Sequence, residues 1–542
     1  MVSRTCVLVL CWLAIGDSFA GRAVAASLED FARALATPDT QGQALAHIRD
    51  LADPAWKGVL QALKEGALYS WKGQLLILDE SGTFKDLGGK PLLDTSGQPV
   101  LPEEDLEQVP LEEAHIPLVQ RALDVIALFD QDPKTRQAAV RKLANLADAS
   151  VVALLVKALE RERDPAVKPV LVEAVARLRL FDPDPLVRRQ SVKFFGETRS
   201  ESALVPLKTL LEQEQDAPVK HTIRQTIGEI EGYLRVRNVV GYLFNGLSLA
   251  SILLIMSLGL AITFGLMGII NMAHGEMLML GSYTAYVIQE FFTSHLPAQQ
   301  DYFFFVALPL SPLVVGGVGL ILERGVLRFL YARPLESLLV TWGIGMLLQQ
   351  GVRLYFGDQT SVNAPTWFRG GWEIMSGLIF PYSRIFIIAL SLLCLVVVYL
   401  LLYRSDAGLK IRAVMQNRDI AGCMGVSTPR IDAFTFALGA ALAGLAGCAL
   451  SLIGTVDPEV GKTYIVDSFM VVVLGGVGKV LGTVLASIGI GMSNKLLEPA
   501  IRGTAAAVYA KVGILLLVMF FLQLRPTGLF PAKERPTEAI AR

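Results

Sequence analysis

TFGLMGIINMAHGEMLMLGSY, running from Thr263 to Tyr283, is the stretch on which the reading of this chain turns. It begins in an apolar run and then places Asn271, His274 and Glu276 where a lipid-facing helix carries only hydrocarbon. With His counted as neutral, no formal charge occurs from Val239 to Gly275. One helix of that length would measure about 55 Å, against a hydrocarbon core of about 30 Å. The run must therefore turn, and Gly265, Gly268 and the Asn271–Gly275 segment are the candidate positions. A polar, glycine-flanked break at membrane depth is stable only where it packs in protein or lines a path. Asn271, His274 and Glu276 are therefore expected on a transport path or a gating hinge. The competing expectation is that they only satisfy freed backbone groups. Glu276 is either an ionisable group inside the membrane, functional by default, or a charge at the cytoplasmic edge.

The chain keeps this character after Arg237. Charge-poor runs near 241–266, 276–292, 303–322, 337–356, 379–403, 433–455, 466–493 and 506–524 predict about eight membrane helices. Gly439, Ala443 and Gly447 recur at intervals of four, as do Gly478 and Gly482. Small residues at that spacing let helix backbones approach closely. The 466–493 run contains Gly475, Gly476 and Gly478, further candidates for the path or its gate. It either crosses the membrane or enters and returns at that turn. Arg324, Arg328 and Arg333 follow the third run; Arg404, Lys410, Arg412, Arg418 and Arg430 lie between the fifth and sixth. Positive charge places both loops in the cytoplasm. The 357–378 loop, with Trp367 and Trp372, suits the outer face. Eight crossings from an exported amino terminus would leave Lys533 and Arg535 outside, against their charge. A returning segment or a different helix count would remove that conflict.

The first 237 residues carry most of the charge, although the mean hydropathy of the chain is +0.48. The balance of 49 basic and 50 acidic residues gives no nucleic-acid signal. Residues 1–26 read as a signal peptide, with Arg4 as basic flank, an apolar core from Val7 to Ile15 and a small-residue site at Ala23-Val24-Ala25. An additional membrane anchor is the alternative. Residues 27–116 form an exported segment: a helical stretch from Ser27 to about Glu65, then a small β insertion. Leu68–Trp71 and Leu75–Leu78 are its strands, and Asp79–Gly82 and Thr95–Pro99 its turns. In 117–237, Asp132-Pro133, Asp164-Pro165 and Asp184-Pro185 mark helix starts, with Asp216-Ala217-Pro218 as a variant. The Asp separations of 32, 20 and 32 residues suggest a HEAT-like repeat with a period near 32. Such a solenoid offers either a protein-binding surface or an accessory domain without a ligand. No cysteine of the five falls in this exported part, and no pair has metal-ligand spacing, so neither a disulfide framework nor a metal is expected.

SDAGLKIRAVMQNRDIAGCMGVSTPR, Ser405 to Arg430, is the second informative stretch. Arg412-Ala413, Asn417, Ala421 and Gly425 at intervals of four suggest a strip on one helical face. Such a helix either docks in a partner's groove or is an ordinary basic loop on lipid phosphates. INMAHGE at Ile270–Glu276, RAVMQNRDIAGCMGV and FMVVVLGGVGKVLGTVLAS at Phe469–Ser487, in this order, resemble the permeases of branched-chain amino acid ABC importers. The resemblance spans roughly 240–530. The long exported extension departs from amino acid permeases and resembles the urea-transporting branch of the family. The resemblance implies a urea permease in a bacterial inner membrane, with its amino-terminal domain in the periplasm. It also implies a second homologous permease, two cytoplasmic ATPases and a periplasmic solute-binding protein, with 405–426 as the ATPase coupling loop. Neither Gly461-Lys462-Thr463 nor Gly478-Lys479 completes a phosphate loop, so no ATP hydrolysis or cofactor is expected on this chain. The expected fold is an all-α polytopic membrane protein with an exported helical-repeat domain: 238–530 the permease domain, 531–542 a tail. A permease for branched-chain amino acids or short-chain amides is the nearest alternative. A passive urea channel and a membrane-anchored scaffold are the alternatives from other classes.

Overall fold

The computed structural model describes residues 34–35, 37–71, 74–79, 82–87, 90–92, 106–145, 151–268, 271–331, 333–501 and 505–530. The signal peptide expected at 1–26, the turn expected at Thr95–Pro99 and the 531–542 tail lie outside them. The described residues form two compact units that divide after Tyr233.

In the first unit, the helical stretch expected up to Glu65 is two helices, α1 (Pro38–Leu51) and α2 (Lys57–Glu65), with a 3₁₀ turn at Pro54–Trp56 between them. The interruption lies at Ala52 and Asp53, whose side chain accepts from the Ala55 N–H, while Gly58 stays inside α2. Then come β1 (Leu68–Trp71), β2 (Gln74–Leu78), β3 (Phe84–Lys85) and β4 (Leu106–Gln108), an antiparallel sheet in the order β3-β2-β1-β4. Leu68 and Leu75 of the sheet share a core with Leu45, Ile48, Leu60 and Val119, the last from α3 (Ile116–Ile126).

Helices α4 (Pro133–Ala144), α5 (Val152–Arg161), α6 (Lys168–Arg179), α7 (Pro185–Thr198) and α8 (Leu204–Gln213) follow. Here the repeat differs from the expected period near 32: α4 and α5 recur 52 residues later as α7 and α8. The Asp markers are of two kinds. Asp132 and Asp184 are N-caps, whereas Asp164 holds a turn ahead of α6 by accepting from the Ala166 N–H. Each 52-residue unit contains one two-pronged ion pair. Arg136 donates to both oxygens of Glu162 at 2.7 and 2.9 Å, and Arg188 to both of Glu214 at 2.8 Å. The Glu162 and Glu214 side chains are 6% and 3% exposed. Each also accepts backbone N–H groups from the loop that follows it.

The Arg136 guanidinium, followed by those loop amides, holds the Glu162 carboxyl below its ordinary value of 4.5. A carboxyl depressed by folding stabilises fully above its unfolded value, and the contribution disappears as pH falls through the folded one. Glu162→Gln leaves Arg136 without its partner and is expected to cost about 3 kcal/mol at neutral pH. Hydrogen exchange on the full chain checks this: α5 and α6 amides lose protection at pH 7, and the difference from the parent chain narrows as pH falls below 4.5 and through the depressed folded value.

The second unit contains the rest of α9 (Ala217–Met267), then α10 (His274–His295), α11 (Phe303–Gly325), α12 (Pro334–Phe356), the hairpin β5 (Gly371–Met375) and β6 (Leu378–Pro381), and α13 (Tyr382–Arg404). After these come α14 (Asp406–Gln416), α15 (Arg418–Cys423), α16 (Thr428–Leu450), α17 (Val460–Gly475), α18 (Val480–Leu497) and α19 (Ala506–Leu524). Six described helical segments are long and apolar enough to cross a membrane: Ala217–Met267, Pro297–Phe329, Tyr382–Arg404, Thr428–Leu450, Val480–Ala500 and Ala506–Leu524. The 466–493 run is not one helix. Gly476 (φ 96°) and Gly478 (φ 73°) adopt left-handed backbone and end α17 before α18 begins.

Glycine contacts assemble the bundle. An added Cβ at Gly439 would lie 2.9 Å from the Gly259 carbonyl oxygen, and one at Gly447 would lie 1.8 Å from that of Leu278. Ala443 is fully buried between them. The four-residue spacing thus marks the face by which α16 meets both α9 and α10.

Candidate functional site

The apolar run breaks at Gly268 (φ 67°), while Gly265 stays inside α9 and packs against Gly478. Asn271 Oδ1 accepts the Ala273 N–H at 3.0 Å, and the Met272 N–H donates to Thr341 Oγ1 of α12 at 3.2 Å. His274 Nε2 donates to the Met256 carbonyl at 3.1 Å, fastening the start of α10 to the side of α9. Freed backbone groups are thereby satisfied inside protein, as a break at membrane depth requires. Asn271, His274 and Glu276 are all buried. Asn271 Nδ2 and Glu276 Oε2 have no hydrogen-bond partner among the described residues. Glu276 faces bare backbone on two sides: an added Cβ would lie 3.2 Å from its Cγ at Gly345 and 3.0 Å from its Oε2 at Gly461.

The three glycines grouped with these residues lie elsewhere. Gly475 packs on Gly482, Gly476 on the Phe530 carbonyl, and Gly478 on Gly265 and the Met415 methyl. Fourteen residue steps along α17, from Gly461 to Gly475, separate the two sets by about 21 Å. One set surrounds the start of α10, beyond the break at Gly268. The other shapes the α17–α18 turn at the end where the 405–430 loop lies.

That loop is not one helix, which corrects the expected strip. Asn417 is extended (φ −157°, ψ 109°), and its Oδ1 accepts the Ile420 N–H at 3.0 Å, so it ends α14 and caps α15. Ala421 is buried, and the Arg412 guanidinium lies 5.1 Å from the centre of the Tyr403 ring. Gly425 (φ 84°) ends the turn after α15, where the Val426 N–H returns to the Ala421 carbonyl at 3.0 Å. The exposed apolar side chains here are Leu409, Ile420 and Met424.

A cluster that spacing did not reveal joins this loop to the bundle. Arg418, the first residue of α15, bonds both oxygens of Asp432 in the first turns of α16. Asp432 is fully buried. The Arg418 guanidinium also sits 4.9 Å from the centre of the Tyr331 ring, and Tyr331 donates to Glu323 of α11 at 2.5 Å. The available signal was a single Asp just ahead of the apolar run at 433–455, fourteen residues after an Arg.

Residues 242–522 match the family described as branched-chain amino acid transport system / permease component. BraD of Pseudomonas aeruginosa, a high-affinity branched-chain amino acid transport system permease protein, is 29% identical over 297 residues, 54% of this chain and 95% of the relative. The corresponding LivH of Escherichia coli is 27% identical over 299 residues, again 54% and 95%. LivM of the same organism is 28% identical over 314 residues, 52% and 69%. No solved structure matches. These findings correct the expectation of urea, because the family and these relatives are all described by branched-chain amino acids. That expectation rested on the amino-terminal extension, which precedes the matched residues. The matched region covers the helix break, the 405–430 loop and the α17–α18 turn, and the chain belongs to the branched-chain amino acid transport permease family, a non-catalytic component of ABC importers.

Proposed function

We propose that this chain forms half of the translocation path of an ATP-driven importer of branched-chain amino acids in a prokaryotic inner membrane. The observation that carries the proposal is the family match across 242–522. A second permease chain completes the path, two cytoplasmic ATPases drive it, and a soluble receptor delivers the solute. The 405–426 loop, with Leu409, Ile420 and Met424 outward, is the surface offered to the ATPase, and Arg412, Ala413, Asn417, Ala421 and Gly425 shape it. Residues 27–237 face the periplasm.

A nine-crossing arrangement supports this orientation. If the chain crosses once in each of the nine segments that contain α9, α10, α11, α12, α13, α16, α17, α18 and α19, an exported amino terminus leaves the tail inside. Lys533 and Arg535 then obey the positive-inside rule. The Lys511 ammonium of α19 lies 3.3 Å from Asp467 of α17, and the Leu529 N–H bonds the Leu474 carbonyl at 2.8 Å, which fits α17 and α19 running in the same direction. Asn271, His274 and Glu276 surround the start of α10, which moves as the path alternates. Gly475, Gly476 and Gly478 let the α17–α18 turn follow the coupling loop.

The test uses the assembled complex in lipid nanodiscs. L-Leucine with its receptor is expected to raise ATP hydrolysis several-fold, and in vesicles leucine should accumulate only with active ATPases. Leucine flux persisting after ATPase inactivation would identify a passive pore, and no response to any branched-chain amino acid would overturn the reading.

A further inference from the structure

We propose that Glu276 receives the ammonium group of the transported amino acid, with the starts of α10 and α17 facing its carboxylate. This rests on the function proposed above and deepens it. Among the described residues of the membrane unit, Asp432 is paired with Arg418, Asp467 with Lys511, and Glu323 with the Tyr331 hydroxyl. The buried Glu276 carboxylate has no ion pair or hydrogen bond there; the exposed Lys462 of α17 acts on it only through space, without contact. A buried charge is retained when its partner is supplied, and a partner that arrives with the solute meets that requirement.

The position is that of a midpoint site. Glu276 packs on Gly345, which lies eleven residues from each end of α12. It also faces Gly461 in the first turn of α17, so two of its neighbours present backbone without side chains. The second charge of a zwitterion finds its complement beside it. Helices α10 and α17, of 22 and 16 residues, both begin here, and Gly275 crosses Gly461 between their first turns. The His274, Glu276 and Met277 N–H groups already bond the preceding turn, so α10 attracts a carboxylate through the positive end of its dipole and not through free donors. Discontinuous helices in transporters place such starts at the midplane. Asn271 Nδ2, buried and unpartnered, adds a side-chain donor.

In this conformation the site is closed. An added Cβ at Gly275 would lie 2.7 Å from the Gly461 carbonyl oxygen, so α10 and α17 must part to admit a solute. Binding then favours the parted state, the differential affinity that an alternating cycle needs.

The complex with its receptor tests this in two ways. Glu276→Gln is expected to assemble with its partner chains and to lower L-leucine uptake about 10- to 100-fold, the loss typical of a charge-assisted bond, with Glu276→Asp recovering part of it. In the parent complex, an apolar carbodiimide should label Glu276, and L-leucine supplied with receptor and ATP should reduce that labelling at least threefold. Uptake by Glu276→Gln within twofold of the parent, or labelling unaffected by leucine, overturns the subsite while leaving the permease reading intact. A parent complex that takes up no branched-chain amino acid overturns both.

Discussion

Gly447→Val should abolish the folded permease. The added Cβ would lie 1.8 Å from the Leu278 carbonyl oxygen and 3.0 Å from the Ser282 nitrogen, both backbone atoms of α10 that no rotamer change can move. Overpacking that side chains can absorb costs about 1–3 kcal/mol. Here the helices must separate instead, so the loss should exceed about 3 kcal/mol. The damage would spread, because the same crossing brings Gly281 against Gly444. There Ser311 of α11 donates to both carbonyls, at 3.2 and 2.9 Å. Gly281→Ala should fail for the same reason, with its Cβ 2.0 Å from the Gly444 oxygen. Gly343→Ala and Gly489→Ala are the controls. Nothing lies within 4 Å of a Cβ at either, and alanine favours a helix more than glycine does. The measurement is the fraction of detergent-extracted protein that elutes as a single species. Recovery of Gly447→Val near that of Gly343→Ala would contradict the crossing.

These glycines show what a linear chain can disclose. The four-residue spacing of Gly439, Ala443 and Gly447 announced a close helix contact, because periodicity is local and a helix turns it into a face. It could not announce that Gly439 meets α9 while Gly447 meets α10, since partners are set by the whole bundle. The break near Gly268 was legible from length and from misplaced polar groups. The role of His274 as a fastener to Met256 was not, because a hydrogen bond to a distant carbonyl leaves no mark in spacing. Two readings failed for one reason. The strip through Asn417 assumed a continuous helix, but Asn is as able to cap a helix as to continue one, and here it caps α15. The repeat markers treated every Asp-Pro as a helix start, although Asp164 serves a loop. Urea was inferred from the extension, whose residues fold separately from the matched region and say nothing about the solute path.

Arg418→Met should lower the amount of leucine moved per ATP hydrolysed at least tenfold. Arg418 opens α15 in the loop proposed above to meet the ATPase, and Asp432 lies inside the first turns of α16, so on that proposal force on the loop would reach a membrane helix through one guanidinium. The Tyr331 ring under that guanidinium, bonded to Glu323, gives the same force a second route into α11. Lysine cannot grip both Asp432 oxygens and stack on Tyr331 together, so Arg418→Lys should restore little. Stability must be separated from transmission. Removing one partner of a buried pair strands the other, which for a partly exposed arginine costs roughly 2 kcal/mol. Apolar replacement of both members commonly restores stability. Arg418→Met with Asp432→Leu should therefore recover the thermal stability of the complex while leucine per ATP stays low. If the double variant recovers transport as well, the pair is packing and not a coupling element. Tyr331→Phe keeps the ring but releases Glu323, and its smaller expected loss of two- to threefold measures the branch into α11 alone.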